Sequence, residues 1–264
     1  MKISSLDNEL NYLGTPLNYY NNLADYYHLI YTDWYKDLKQ QGRALDIAIK
    51  RFWDKQEISK ILDVSCGIGT QSIGLALRGY SIVGLDISPN AVERARHEAK
   101  ERGLSIEFHV GDMRDLSYFF GEKYDLAIAC DNSLPHLLSD EQIELALIQM
   151  QSVVRVGGGC IITVRDYEKM KTKGKRIVPR TLRIHDSGEK VIMFDVWEFH
   201  DKYYDMSTYL VNDKGEHCLT QVFRAKYYCV SIRKLVSLME NVGFTKVTVI
   251  RNLFFQPLIL GVKE

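Results

Sequence analysis

The sequence lacks the features that would assign it to several specialised classes of protein. It has no run of the ~18 apolar residues that a membrane-spanning helix requires, and its N-terminus shows no apolar signal core. Its formal net charge is zero, with 34 basic and 34 acidic residues, whereas nucleic-acid-binding domains usually carry a basic excess. We therefore expect neither a membrane nor a nucleic acid as a partner.

Cysteine is also scarce. The chain has 5 cysteines, which are widely scattered, and none of them forms a Cys-x-x-Cys pair. A zinc site and a disulfide framework are therefore not expected, and a cytoplasmic protein without a metal fits best. With 264 residues, of which 46% are hydrophobic, the chain is long and apolar enough to bury a substantial core.

The most informative segment runs from Leu62 to Thr70 and reads Leu-Asp-Val-Ser-Cys-Gly-Ile-Gly-Thr. It joins a short apolar run to a predicted helix from Gln71 to Arg78. A second apolar run, Ser81 to Leu85, follows this helix and ends on Asp86. A strand, a glycine loop, a helix and a second strand tipped by a carboxylate form the arrangement that holds a nucleoside by its ribose hydroxyls.

The loop itself discriminates between nucleosides. A dinucleotide fingerprint needs three glycines, with the pyrophosphate at the helix N-terminus. Here only Gly67 and Gly69 are present, and Ser65 stands where the first glycine would fall. Asp63, just before the loop, would repel a pyrophosphate but attract an ammonium group. The loop therefore favours S-adenosylmethionine, a nucleoside with an amino-acid tail, over the alternative of a nicotinamide dinucleotide.

In order and spacing these motifs resemble those of the class I S-adenosylmethionine-dependent methyltransferases. Asp63 to Thr70 resembles their first motif, and Asp86 resembles the acid that grips both ribose hydroxyls. Val110 to Met113 resembles the third motif, whose acid reads the adenine amino group while its neighbour packs on the ring. The cofactor contacts that the resemblance implies here are Asp63, Ser65, Cys66, Gly67, Gly69, Thr70, Asp86, Ile87, Asp112, Met113 and Cys130.

The same resemblance sets the expected fold: α/β, with a doubly wound, seven-stranded, mostly parallel sheet of the Rossmann-like methyltransferase type. It implies that glycines 157–159 turn the chain into the fifth strand, and helical spacing over 17–52 predicts two or three helices with breaks near Thr32 and Gly42. Residues 180–230 read as strands joined by turns, which predicts a small antiparallel sheet after the fifth strand. We expect a helical cap (1–57), a cofactor-binding core (58–166 and 231–264) and a substrate-covering insert (167–230).

Two segments narrow the identity of the methyl acceptor. They are Cys130 to Leu138, after the fourth predicted strand, and Val164 to Tyr167, after the fifth. They resemble the Asn-Ser-x-x-His-Leu and Arg-x-Tyr stretches of the glycine, sarcosine and dimethylglycine N-methyltransferases. An arginine fork binds a carboxylate bidentately. The resemblance therefore implies that Arg165, with Asn132 and Tyr167, binds the acceptor.

The aromatic segment from Asp25 to Trp34 also resembles the entrance of these enzymes. The resemblance implies that Tyr27 and Tyr31 lie near the sulfonium and that His136 faces the acceptor or the methionine end of the cofactor. It further implies cofactor contacts from Trp34 and from Arg43, with Gln41 as the alternative to Arg43 at the cofactor carboxylate. Asp131 is interpreted as a cap of the turn that follows it.

The predicted function is N-methylation of a small glycine-type amino acid by S-adenosylmethionine. Because the amine must lose a proton before it attacks, the rate should rise toward alkaline pH, with help from His136. Two alternatives stay open. The acceptor could be another small amine, a thiol or a hydroxyl, or the protein could be a non-catalytic cofactor-binding module. The number of methyl groups transferred and the choice between monomer and homo-oligomer stay open as well.

Overall fold

The structure is a computed structural model that describes residues 14–54, 57–170 and 173–264. The first part of the predicted helical cap, residues 1–13, lies outside these ranges. Within the described ranges, no helix combines the length and the apolar character needed to cross a membrane.

In the described part of the chain, eleven strands form two separate sheets. The larger sheet has seven strands in the order β10-β11-β5-β4-β1-β2-β3, and β11 runs antiparallel to both of its neighbours while β1 to β5 pair in parallel. The predicted fold class, a mostly parallel seven-stranded sheet with an added antiparallel sheet, is confirmed. The strands are β1 Lys60–Asp63, β2 Ser81–Asp86, β3 Glu107–Val110, β4 Tyr124–Ala129, β5 Val154–Thr163, β6 Gly174–Ile184, β7 Lys190–His200, β8 Tyr203–Asp213, β9 Cys218–Tyr228, β10 Phe244–Ile250 and β11 Leu258–Lys263.

The helices begin at well-defined N-caps. Side-chain oxygens of Thr15, Asp33, Ser88, Ser139 and Ser231 each accept a hydrogen bond from a backbone N–H in the first turn, which satisfies a donor that has no partner inside the helix. The helices are α1 Pro16–Leu23, α2 Trp34–Phe52, α3 Thr70–Ala76, α4 Pro89–Glu101, α5 Leu116–Phe119, α6 Asp140–Val153 and α7 Ile232–Asn241, with 3-10 turns at Tyr27–Ile30 and Leu134–His136.

The helix break predicted near Gly42 is wrong, because α2 runs through this position without interruption. Gly42 packs against Gly74 of α3, and a Cβ atom at Gly42 would overlap the backbone of Gly74. The glycine therefore allows two helix backbones to touch. This contact fixes the position of α2 beside the glycine loop that precedes α3.

The turn predicted at glycines 157–159 is instead an irregularity within β5, which begins at Val154. Gly157 has a left-handed φ of 79°, and the pairing with β4 shifts register between Val154 and Gly159. A Cβ atom at Gly158 would overlap the carbonyl oxygen of Asp125 on β4, and one at Gly159 would overlap that of Gly261 on β11. These glycines let β5 pair closely with a strand on either side.

The smaller sheet, β6-β7-β8-β9, is antiparallel and lies in sequence between β5 and α7. Its inner face carries aromatic side chains, among them Trp197, Tyr204 and Tyr227, that belong to the main hydrophobic core. The Thr181 hydroxyl on β6 donates a hydrogen bond to the carbonyl oxygen of Leu29. The sheet therefore packs against the N-terminal helical segment, and both lie over the carboxyl ends of the parallel strands.

Candidate functional site

A cavity of about 460 Å³ lies at the carboxyl ends of β1, β2 and β4. We call it the loop cavity, because residues 64–68 of the glycine loop form part of its wall together with segment 111–114. Its volume falls in the range of about 300–1,000 Å³ that is usual for small-molecule sites. The predicted cofactor contacts that line it are Ser65, Cys66, Gly67, Thr70, Asp86, Ile87, Asp112, Met113 and Cys130.

The glycine loop is fastened to the tip of β2. The backbone N–H of Gly67 donates to Asp86 Oδ2 at 2.8 Å, and that of Ser88 donates to Asp86 Oδ1 at 2.9 Å. Gly67 has a left-handed φ of 52°, and a Cβ atom built on it would have no protein atom within 4 Å. The loop therefore presents bare backbone and one carboxylate to a ligand, and this fits a nucleoside whose ribose hydroxyls donate to Asp86.

Asp112 also lines the loop cavity as an ionised group. Arg114 binds its carboxylate through two side-chain contacts, Nε to Oδ1 at 3.0 Å and Nη2 to Oδ2 at 2.5 Å. Burial acts to raise the pKa of Asp112, but the hydrogen bonds from Arg114 outweigh it and leave the pKa lowered. The neighbouring Met113 offers an apolar contact in the same wall.

The direct ammonium contact predicted for Asp63 needs correction. Asp63 is fully buried, lies outside the cavity lining and accepts hydrogen bonds from Ser72 Oγ at 2.7 Å and from the backbone N–H of Ser65 at 3.3 Å. Burial raises its pKa to about 7. Its carboxylate connects the glycine loop to α3 and lies outside the lining of the loop cavity.

Three further predicted cofactor contacts also lie outside the lining. Gly69 has a φ of 89° and forms the N-cap of α3. Trp34 donates from Nε1 to Thr70 Oγ1 at 2.9 Å and so supports the cavity wall from behind. Arg43 is exposed. It follows the buried Gln41 by two positions in α2, and this spacing places the two side chains on different faces of the helix.

Gln41, the predicted alternative to Arg43, lines a second cavity. Its Oε1 accepts from Gln71 Nε2 at 2.7 Å, and Gln71 lines the loop cavity. The position of Gln41 therefore favours the alternative.

The second cavity, of about 530 Å³, lies beside the first. We call it the arginine cavity, because Arg165 and Arg180 line it together with tyrosines of the N-terminal segment. Both cavities have Tyr20, Tyr27 and Asp131 in their linings. These three residues therefore form the wall that the two cavities share.

The Arg165 guanidinium is surrounded by aromatic rings. Its Nη1 donates to the Tyr204 hydroxyl at 2.9 Å, and the group lies 5.0 Å from the ring centre of Trp197 and 5.6 Å from that of Tyr227. Among the described residues no carboxylate forms a salt bridge with it; Asp166, its neighbour in sequence, contacts Lys169 and Arg251 instead. Among the described residues Arg165 is thus a cation in a cavity wall that forms no salt bridge, although the Asp131 carboxylate in the same wall attracts it electrostatically.

Asn132 and Tyr167, both predicted to bind substrate, are buried and lie outside both cavity linings, so this prediction needs correction. Asn132 Oδ1 accepts from the backbone N–H of Arg165 at 3.0 Å and from the Tyr167 hydroxyl at 2.9 Å. The two residues hold the Arg165 backbone in place from the core side.

His136 lines the loop cavity but is a poor base. Its Nε2 is hydrogen-bonded to the Tyr20 hydroxyl at 2.8 Å, and its ring lies 4.1 Å from that of Tyr227. Burial and then the charge of Arg165 lower the pKa of His136 to about 3. An imidazole with so low a pKa is a weak proton acceptor, so the expectation that His136 assists proton removal needs correction.

Asp131 lies in the linings of both cavities, a position that the sequence analysis did not predict for it. Its Oδ2 accepts from the hydroxyls of Tyr27 at 3.2 Å and Tyr31 at 3.1 Å, and its Oδ1 accepts from Gln256 Nε2 at 3.1 Å. It has a left-handed φ of 53° immediately after β4. The available signal was an acid directly after a parallel strand, where ligands bind in such sheets. The two tyrosines predicted to be catalytic both line the arginine cavity and converge on this carboxylate.

Residues 61–158 match a family of proteins described as a methyltransferase domain. The chain is 30% identical over 117 residues to a glycine/sarcosine N-methyltransferase of Parasynechococcus marenigrum (strain WH8102), covering 44% of this chain and 42% of that protein. It is 26% identical over 215 residues to a glycine/sarcosine N-methyltransferase of Halorhodospira halochloris, covering 81% of this chain and 75% of that protein. The chain thus spans less than half the length of the first relative.

Among solved structures, the chain is similar to SAM-bound CalS10, an amino pentose methyltransferase from Micromonospora echinaspora. The TM-score is 0.72 at 16% identity, and the match covers 85% of this chain and 92% of that one. At this identity the likeness is evidence of a shared fold.

Proposed function

We propose that this chain carries a class I S-adenosylmethionine-dependent methyltransferase domain and that it transfers a methyl group from S-adenosylmethionine to the amine nitrogen of a small glycine-type amino acid. The observation that carries the proposal is the pair of adjoining cavities. One has a glycine loop and the Asp86 carboxylate, and the other has the Arg165 cation, which forms no salt bridge with a carboxylate among the described residues. Resemblance to the glycine/sarcosine N-methyltransferases supports the choice of acceptor.

The loop cavity holds the cofactor in this proposal. Asp86 accepts hydrogen bonds from the ribose hydroxyls, Ile87 and Met113 contact the base, and Gln41 lies on the side of the amino-acid tail. The cofactor supplies an electrophilic methyl group on a sulfonium. The lone pair of the acceptor nitrogen forms the new N–C bond, and the electron pair of the broken C–S bond stays on sulfur.

The arginine cavity orients the acceptor. Arg165 binds its carboxylate through the guanidinium fork, so the amine at the other end points toward the wall that the two cavities share. Fixing the carboxylate limits the positions open to the nitrogen, and such orientation provides much of the rate in a displacement that needs no protein nucleophile.

The test is transfer of a labelled methyl group to glycine, sarcosine and dimethylglycine by the wild type and by Arg165→Lys. Lysine keeps the charge but lacks the fork, so we expect kcat/KM to fall roughly 10- to 100-fold, through a higher KM for the acceptor, as for loss of one charged hydrogen bond. The dissociation constant of the cofactor should stay the same. Arg224→Lys, an exposed change on β9, is the matched control. An unchanged acceptor KM in Arg165→Lys would falsify the carboxylate clamp.

The second candidate is an amine on a larger molecule, such as an amino sugar. The arginine cavity, at about 530 Å³, is larger than the few heavy atoms of glycine require, and the fold is that of an amino pentose methyltransferase. Amino sugars therefore belong in the same acceptor panel. Turnover of these with none on glycine-type acids would select this candidate, whereas cofactor binding without turnover on any amine would indicate a non-catalytic module.

A further inference from the structure

The wall shared by the two cavities contains one buried carboxylate, that of Asp131. All three of its side-chain hydrogen-bond donors, Tyr27, Tyr31 and Gln256, are electrically neutral. Among the described residues, no lysine, arginine or histidine forms a salt bridge with it. A buried charge is normally paired, because desolvation without an opposite charge is costly. Asp131 therefore has the surroundings of an anion whose cationic partner is a ligand.

The charged and titratable groups around Asp131 leave the place of a cationic partner beside its carboxylate open to a ligand. Arg165 attracts it electrostatically but is directed by its hydrogen bond to Tyr204, and Arg180 is paired with Asp195 through Nε at 2.7 Å. Burial raises the pKa of Asp131, and the positive charge of Arg165 is the largest opposing influence. The titratable or charged groups that face it from the packed elements are Tyr27, Tyr31, Arg165, Arg180 and Tyr227.

We propose that Asp131 is a catalytic residue that binds the ammonium group of the acceptor and takes the proton that this group must lose before it is methylated. The proposal rests on the proposed function, since it concerns the amine end of the molecule whose carboxylate Arg165 holds. It also narrows the acceptor class, because a buried carboxylate beside the reacting atom attracts ammonium and repels thiolates and other anionic nucleophiles.

Proton transfer to Asp131 comes before methyl transfer in this proposal. The ammonium nitrogen gives one proton to Asp131, which leaves a neutral amine and a neutral carboxylic acid in a cavity that favours uncharged groups. The amine lone pair then forms the N–C bond, and the nitrogen becomes positive again while the sulfur becomes neutral. As the methylated ammonium leaves, Asp131 loses its proton to water, so each cycle releases one proton.

Tyr27, Tyr31 and Gln256 are positioning residues in this scheme. Their hydrogen bonds come from two sides of the cavity and fix both carboxylate oxygens. The backbone N–H of Asp131 donates to Thr163 Oγ1 at 2.7 Å, which anchors the residue to β5. The carboxylate is therefore held rigidly at the boundary between donor and acceptor, as a proton acceptor in a displacement requires.

The binding test uses Asp131→Asn, which has the same shape and tolerates a left-handed φ. Glycine and acetate are titrated into the wild type and the variant in the presence of the demethylated cofactor product. Acetate has the carboxylate but lacks the amine. We expect the affinity for glycine to fall ~10- to 100-fold, as for loss of a charged hydrogen bond, and the affinity for acetate to stay equal or to rise.

The kinetic test follows kcat/KM against pH. Without an internal base, the variant depends on the neutral fraction of the free amine, so its rate should rise about tenfold per pH unit between pH 7 and 9, more steeply than that of the wild type. Asp166→Asn, a change at a carboxylate paired with Lys169 and Arg251, is the control and should match the wild type.

The outcomes separate this proposal from the proposed function. If the wild type binds neither glycine nor acetate, the glycine-type acceptor is wrong, and the comparison is repeated with whichever amine the panel identifies and its deaminated analogue. If glycine and acetate lose the same affinity in Asp131→Asn, or if the two pH profiles run parallel, the role of Asp131 is refuted.

Discussion

Arg165 Nη1 donates a hydrogen bond to the hydroxyl of Tyr204 at 2.9 Å. Arg165 follows the core strand β5, whereas Tyr204 belongs to β8 of the inserted sheet. The Tyr204 ring is fully buried and stacks on Tyr227, with ring centres 4.8 Å apart and planes 5° apart. The insert therefore fixes the direction of the guanidinium on which the proposed acceptor binding depends.

Changing Tyr204 to Phe should raise the acceptor KM. The ring stack remains, but Arg165 loses a hydrogen-bond acceptor, so we expect an increase of roughly 2- to 10-fold, as for a bond of about 0.5–1.5 kcal/mol. Steady-state kinetics with varied acceptor measures it. Tyr209→Phe, on the opposite face of β8 and stacked on Phe194, is the control and should leave KM unchanged. Equal effects of the two changes would contradict the role of Tyr204.

Changing Gly67 to Ala should weaken cofactor binding. Gly67 has a φ of 52°, which costs an alanine about 1–2 kcal/mol, and its new methyl group would extend into the loop cavity. Gly79, with a φ of 96° and equally free space around it, lies in the turn after α3 and outside the loop cavity. Both alanine variants should lose similar stability in urea. Only Gly67→Ala should bind S-adenosylmethionine at least ~10-fold more weakly in a titration, because the backbone at position 67 is strained and the methyl group keeps the cofactor from approaching the loop closely.

Changing Gly42 to Ala should destabilise the fold, although alanine normally favours a helix over glycine by about 1 kcal/mol. The new methyl group would overlap the Gly74 backbone, which cannot move aside as a flexible side chain can. We expect the free energy of unfolding to fall by about 1–3 kcal/mol, as in other overpacked contacts. Urea denaturation measures this, with Arg43→Ala at the adjacent exposed position as the control. A stabilised Gly42→Ala would show that α2 and α3 separate at little cost.

His136 should make the folded state sensitive to mild acid. The unfolded chain binds a proton at His136 near pH 6.5, whereas the fold resists protonation until about pH 3. Between these values the unfolded state holds more protons, so stability falls as pH falls, by up to about 1.4 kcal/mol per pH unit from this group. In His136→Gln this contribution is absent, and urea midpoints from pH 6.5 to 4.5 should decline less steeply. Parallel declines would indicate that His136 is protonated inside the fold.

The cofactor side of the site follows largely from local sequence. Ser65 to Thr70 and Asp86 are separated by one helix, and a parallel strand pair brings them together, so their types and spacing were enough to predict the loop cavity. Asp63 was misjudged because a sequence does not show whether a carboxylate at a strand end faces the cavity or the adjacent helix. Only the contact with Ser72 on α3 decides that.

The arginine cavity was less predictable. Arg165, which the motif singles out, lines this cavity, whereas Asn132 and Tyr167 of the same motifs support its backbone from within the core. Exposure of a residue after a strand depends on what packs over it. Here the small antiparallel sheet packs over these residues. The sequence indicates the strands of this sheet, but it does not show where the sheet docks.

By itself the sequence determined the kind of sheet, the order of its strands along the chain and the glycine loop that lines the loop cavity, because backbone conformation and apolar periodicity depend on neighbouring residues. The tertiary structure alone decided that Tyr27 and Gln256, which lie 104 and 125 residues from Asp131, donate hydrogen bonds to its carboxylate. Such contacts arise only when distant segments pack together, and the burial that raises the pKa of Asp131 is a property of the whole fold.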